Sequence, residues 1–212
     1  GGNTQQCEAA VVAGVNAYKK WMRRYAKMGN LELWYSQIGE AEILQSLTKE
    51  AALTAVDAMN KARKRTNVQV LEKMAGMVDE QFRIKENYPF IYHDPTTINN
   101  TPVRDLLDML LQQYSASLPP ERRSLLAKYT LRDVVRKVVG VGSVGTTCWM
   151  MYLQGDDSSD PLFLQLKEAQ PSVLELYTQP CMYANQGERV VFGQRLIQGS
   201  PDIFLGYGKL EN

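Results

Sequence analysis

Val134-Val135-Arg136-Lys137-Val138-Val139-Gly140-Val141-Gly142-Ser143-Val144-Gly145-Thr146-Thr147-Cys148-Trp149-Met150-Met151-Tyr152-Leu153 places two runs of β-branched and aromatic residues on either side of a glycine cluster. Such side chains favour extended backbone and glycines interrupt it, so the stretch predicts strand, glycine turn, strand. Gly140, Gly142 and Gly145 fit G-x-G-x-x-G, a spacing that two kinds of nucleotide site use differently. In a Rossmann unit the glycines lead directly into a helix whose N-terminus meets a pyrophosphate. Thr146 to Leu153 is a poor helix and a good strand, which disfavours that geometry. In the kinase arrangement the glycines form a hairpin tip over ATP phosphates, where missing side chains let backbone N–H groups approach the oxygens. A glycine turn needed only for its own geometry is the competing reading.

Working outward, Gln154 to Asp160 reads as a polar turn and Pro161 to Lys167 as a third strand, in which Leu162, Leu164 and Leu166 alternate with Phe163, Gln165 and Lys167. Three strands joined by short connections imply an antiparallel meander. A kinase-like site also requires a lysine on the strand after the loop and a glutamate on the next helix. Lys167 meets the first requirement. Glu188 meets the second, in the first turn of a helix expected over Tyr183 to Gln198. Glu175 is closer in sequence but falls in a short turn before Pro180. The candidate binding residues are therefore Gly140, Gly142, Ser143, Gly145, Lys167 and Glu188, with ATP or another nucleotide and Mg²⁺ as the ligand. An exposed Lys167–Glu168 pair at a strand end, and a Glu188 favoured only by the helix dipole, are the structural alternatives. Asp202 to Tyr207 reads as a fourth strand.

The first 130 residues read mainly as helix. Val11, Val15, Tyr18, Met22 and Tyr25 form one apolar stripe over about Gln5 to Met28, which Gly29-Asn30 should stop. Short helical pieces broken at Gly39 follow, then one or two helices from Lys49 to about Met77. Phe82, Ile84 and Phe90 to Tyr92 suggest a small hairpin within 80–93. Thr101-Pro102 is a helix start, and Val103, Leu106, Leu107, Leu110, Leu111 and Tyr114 keep the helical period. Pro119-Pro120 opens a shorter helix through Leu126. The expected class is α+β: a mostly helical part over 1–130, then over 131–212 an antiparallel sheet with one packed helix.

Composition narrows the function. Lys plus Arg number 24 against 23 Asp plus Glu, so a net charge of +1 recruits neither nucleic acid nor an anionic membrane in bulk. No run approaches the roughly 20 apolar residues of a membrane helix. Three cysteines (Cys7, Cys148, Cys181) make no disulfide framework, and with the polar start they suggest a reducing, cytoplasmic setting. His93 is the single histidine, which excludes zinc sites built on two or three imidazoles. His93-Asp94-Pro95-Thr96-Thr97-Ile98-Asn99 spaces Asp and Asn as a kinase catalytic loop does, but it lacks the residue between His and Asp and reads better as a turn.

The strings from Val134 to Thr146, Asp160 to Glu175, Tyr183 to Val191 and Asp202 to Gly206, with Gly193-Gln194-Arg195-Leu196, closely resemble an uncharacterised bacterial family known as domain of unknown function 2252. The match is dense over 131–207 and looser before it, where Leu33-Trp34-Tyr35 is similar. The resemblance implies a relative of the protein-kinase-like and aminoglycoside-phosphotransferase-like fold, with 131–212 corresponding to an N-lobe. It also implies a longer gene that carries Gly-Asp-x-His-x-x-Asn and Asp-Phe-Asp segments upstream. Neither string occurs in these 212 residues, so this chain alone is expected to be inactive in phosphoryl transfer.

Two other functions compete. Met-, Leu- and Ala-rich helices such as 51–77 and 101–114 suit an interaction or self-association module. Lys61, Arg63, Lys64 and Arg65 form a basic block without interleaved aromatics, a poor basis for nucleic-acid binding.

Overall fold

Asn3 opens the first helix through a capping box: its Oδ1 accepts the Gln6 N–H and its own N–H donates to Gln6 Oε1, each at 3.0 Å. A computed structural model describes residues 2–64, 67–78, 81–98, 101–138, 140 and 145–209, and the chain divides into two units, 1–53 and 54–212. The first unit holds α1 (Thr4–Tyr25), α2 (Asn30–Tyr35) and α3 (Glu40–Gln45). Gly29, expected to stop α1, is extended and instead starts α2, donating its N–H to Glu32 Oε2. Gly39 does the same for α3 through Glu42. None of residues 2–64 is buried, and the α1 stripe lies largely exposed, with Val11 and Tyr18 each at 66 %. Among the described residues no helix is long and apolar enough to cross a membrane.

α4 (Lys49–Arg63) runs through the division, and α5 (Asn67–Met74) follows in the second unit. The helix expected to reach Met77 stops at Met74, because β1 (Ala75–Val78) pairs with β2 (Gln81–Ile84). This pairing also replaces the hairpin expected within 80–93. β2 folds back on β1, and β3 (Ile91–Tyr92) joins the main sheet. Thr101-Pro102, expected to open a helix, forms β5 against β4 (Thr97–Ile98), so α6 begins one residue later, at Val103, and runs to Ala116. α7 (Pro120–Leu126) starts on its proline as expected.

The main sheet has the order β3-β6-β7-β8, with β6 at Thr130–Lys137, β7 at Cys148–Gln154 and β8 at Pro161–Lys167. Every pairing in it is antiparallel, which is the expected meander with β3 added at one edge. One face of the sheet buries Val134, Met151 and Leu153 against Val103, Leu107 and Leu110 of α6 and Leu126 of α7. The other face buries Val135, Met150 and Tyr152 against Leu71, Ala75 and Ile84. β7 is covered on both sides, which is why Cys148 to Leu153 reads as a continuous apolar run rather than an alternating one.

α8 (Gln186–Ile197) is the expected last helix, trimmed at both ends. The fourth strand expected over Asp202–Tyr207 does not form; the segment is a turn at Ile203–Phe204 followed by irregular chain held by side chains. Tyr114 donates to the Phe204 carbonyl, Arg195 to the Leu205 carbonyl at 2.7 Å, and Ser117 Oγ accepts the Tyr207 N–H at 2.9 Å. These bonds satisfy the backbone groups that a ladder would otherwise use. Gly206 and Gly208 let the chain lie against α6, since a Cβ would meet Ser117 Oγ at 2.7 Å and Leu110 Cδ1 at 2.6 Å respectively.

Leu153 is fully buried whereas Leu53 is 74 % exposed. Leu153→Ala is expected to cost about 2–5 kcal/mol of unfolding free energy and Leu53→Ala less than about 0.5 kcal/mol; urea unfolding midpoints check the contrast.

Candidate functional site

The glycine loop leaves β6 and returns into β7. Gly140 and Gly145, which flank it, have φ of +36° and +88°, a region that residues with a Cβ adopt only at a cost. Gly142 and Ser143 lie outside the described residues. The returning end is anchored: Glu168 N–H donates to the Thr147 carbonyl and Glu168 Oε2 accepts the Thr147 N–H, both at 2.9 Å. Gln170 Nε2 donates to the other carboxylate oxygen at 3.2 Å. The Thr147 N–H first, and Gln170 second, hold the Glu168 carboxyl below its ordinary range.

Lys167 lies on β8 directly opposite Cys148, the first residue of β7 after the loop. Its exposed side chain therefore stands one strand away from the loop and at the same end of the sheet. Cys148 is buried, which raises its thiol pKa, and the positive charges of Lys167 and Lys137 offset only part of that effect. A buried thiol with a raised pKa is a poor nucleophile.

Glu188 sits in the first turn of α8, but its carboxylate is engaged locally. Oε2 accepts the Ala184 N–H at 3.0 Å and Oε1 the Tyr207 hydroxyl at 3.3 Å, while Asn185 Oδ1 caps the helix through the Glu188 N–H. Among the described residues no ion pair joins Glu188 to Lys167. Glu175, on a single 3₁₀ turn at Val173–Leu176, has a buried Oε1 without a hydrogen-bond partner. In the basic block, Lys61 pairs with Asp57 at 2.7 Å, and Arg65 lies outside the described residues.

A second cluster has no counterpart in the sequence reading. Between Leu131 and Asp133 the β6–β7 register shifts by one residue, which turns Asp133 onto the Tyr152 face instead of the face Leu131 occupies. There Asp133, only 1 % exposed, accepts the Ile84 N–H at 2.7 Å and its neighbour Val134 N–H at 2.9 Å. His93 Nε2 stands 3.0 Å from Asp133 Oδ1, and its Nδ1 stands 2.7 Å from Glu86 Oε1. One imidazole thus bridges two carboxylates and ties the β2–β3 segment to β6. Asp94, the other half of the catalytic-loop look-alike, pairs with Arg136 at 3.2 Å and accepts from Thr96, while Asn99 lies outside the described residues. Among the described residues no group of three or more His, Cys, Asp or Glu side chains is placed to hold a metal ion.

Nothing in the string Leu131-Arg132-Asp133-Val134 announced this cluster, apart from one acid inside an otherwise apolar run. Its partners are distant in sequence, Ile84 by 49 positions and His93 by 40.

A family model described as an uncharacterised protein conserved in bacteria, domain of unknown function 2252, matches residues 1–212. No curated protein and no solved structure matches the chain significantly.

The cluster predicts a pH signature. Burial works against the charged imidazole, but the hydrogen bonds it donates to Asp133 and Glu86 raise His93 above its ordinary 6.5. Its contribution to stability is therefore complete below about pH 6.5 and is lost as pH rises through the raised folded value. Glu86, held below its ordinary 4.5 by the His93 backbone N–H and then its ring, contributes above about pH 4.5 and loses that contribution as pH falls through the lowered value. His93→Gln should flatten the fall in stability on the alkaline side, and the chain's one imidazole NMR signal should titrate above 6.5, dropping in Asp133→Asn.

Proposed function

The chain belongs to the family of domain of unknown function 2252, and from that premise we propose that residues 130–167 bind the phosphates of a nucleotide in the manner of a kinase-like N-lobe. The supporting observation is the placement of Lys167: one strand over from a hairpin with positive-φ glycines, at the loop end of an antiparallel sheet. In this reading the glycine-rich stretch named from the sequence (Gly140, Gly142, Ser143, Gly145) offers backbone N–H groups to the phosphate oxygens. Lys167 supplies a cation that neutralises them. The Glu168–Thr147 hydrogen bonds pre-order the returning end of the loop, so less chain entropy is lost on binding.

The ligand is ATP or another nucleotide, carried with Mg²⁺. Glu188 is the intended holder of Lys167 by element order; because its carboxylate is engaged by Ala184 and Tyr207, Lys167 meets the phosphates without it in this arrangement. Phosphoryl transfer also needs a water- or hydroxyl-positioning acid and metal ligands, and the strings that resemble those do not occur in these 212 residues. The proposed activity of this chain is binding and orientation without turnover.

A second reading, self-association, is favoured by the exposed α1 stripe of Val11, Val15, Tyr18 and Met22. Light scattering tests it: concentration-dependent dimers that Tyr18→Glu abolishes support it, and a monomer at all concentrations overturns it.

For the nucleotide site, titration of ATP with Mg²⁺ should give saturable binding that Lys167→Ala weakens about ten- to a hundredfold, the range for losing a charge-assisted hydrogen bond. Equal binding by the variant, or none by the folded wild type, overturns the proposal.

A further inference from the structure

Lys167 is not the only cation at the loop end of the sheet. On β6, Asp133 lies opposite Tyr152 and Val135 opposite Met150, so these residues share a face, and alternation places Lys137 on that face too. Lys137 is one step beyond the Arg136–Trp149 pair, level with Cys148, and it pairs with Ile91 on its other side. Cys148 in turn pairs with Lys167. The result is a transverse row, Ile91, Lys137, Cys148, Lys167, running across all four strands where β6 enters the glycine loop. The two lysines are two strand spacings apart, about 10 Å between backbones, with a buried thiol between them.

The neighbouring charges leave this pair without a counter-ion among the described residues. Arg136 projects to the other face, where Asp94 takes it at 3.2 Å and the Trp149 ring lies 5.8 Å from its guanidinium carbon. The Glu168 carboxylate beside Lys167 is turned toward Thr147 and Gln170. Neither Lys137 nor Lys167 takes part in an ion pair among the described residues. The charge of each lysine is nevertheless felt at the Cys148 thiol between them.

We propose that Lys137 is a second phosphate-binding lysine, and that Lys137 and Lys167 together clamp successive phosphates of a polyphosphate chain. The site then selects a nucleoside di- or triphosphate over a monophosphate. The inference rests on the phosphate-binding reading of the glycine loop and adds which phosphates are held. Two cations fixed across two strand spacings match charge spread along a chain of phosphates, whereas one phosphate engages only one of them at full strength. Long flexible stems let both ammonium groups converge from a common face of the sheet.

The test is competition binding of ATP, ADP, AMP and inorganic tripolyphosphate to the wild-type chain, Lys137→Met and Lys167→Met, with thermal unfolding as a check on folding. Lys137→Met should weaken ATP and tripolyphosphate about tenfold while changing AMP by less than about twofold, and Lys137→Arg should restore the discrimination. Tripolyphosphate binding as tightly as ATP supports the clamp and assigns it to the phosphate chain; weaker tripolyphosphate binding with the same Lys137 dependence supports it with a nucleoside contribution. Equal weakening of ATP and AMP, or a lowered unfolding temperature that Lys137→Arg does not recover, makes Lys137 structural and overturns the inference. Unchanged ATP binding in Lys137→Met alongside loss in Lys167→Met overturns the inference alone and leaves the nucleotide reading standing. Absence of all binding by the folded wild type overturns both.

Discussion

The register of β7 between β6 and β8 is the constraint on which the second unit depends. Because side chains alternate with a period of two, this one register sends Met151 and Leu153 toward α6 and α7 while sending Met150 and Tyr152 toward α5 and the β1–β2 hairpin. A slip of one residue would exchange the two sets. It would also move Lys167 away from Cys148 and break the row of cations at the loop end. The register is held by burial on both faces, since neither set of side chains can reach water without losing a packed partner.

The one place where β6 departs from that period supplies the buried charge. The shift after Leu131 turns Asp133 inward, and a buried carboxylate is tolerable only when hydrogen bonds replace its hydration. Asp133 receives them from Ile84, Val134 and His93, so the acid draws three parts of the chain together. The short edge strand β3 has only two residues to pair, and the His93 bridge beside it compensates for that brevity. The same stretch explains the fate of Asp94: it serves Arg136 and a local turn, as the sequence reading of a turn at Pro95 had it.

The two ends of the sheet differ in what they carry. The end near Asp133 is closed by hydrogen bonds and packing. The end near Cys148 carries the glycines, the anchored Thr147 and the two lysines, and is open to solvent at Lys167. Two lysines held by paired strands at the end where Gly140 and Gly145 take positive φ are what the nucleotide proposal rests on.

Much of this was legible in the amino-acid order, and for a physical reason: the signals are local. The alternation of Leu162, Leu164 and Leu166, the helical spacing of Val103, Leu107 and Leu110, and the proline start of α7 each follow from a few neighbouring residues. The glycine spacing likewise marked the loop and placed Lys167 on the next strand. What depended on distant partners was not legible. The run from Asp202 to Tyr207 looks like a strand until Tyr114, Ser117 and Arg195 supply its hydrogen bonds from elsewhere. Phe82 and Ile84 pair with β1 rather than with Ile91, because Asp133 holds Ile84 in place. The sequence by itself determined the three-strand meander, the place of Lys167 on its last strand, and the family. Only the tertiary structure decided which carboxylates are already engaged and which lysines share one row across the sheet, because both depend on register and on contacts across tens of residues that no local pattern encodes.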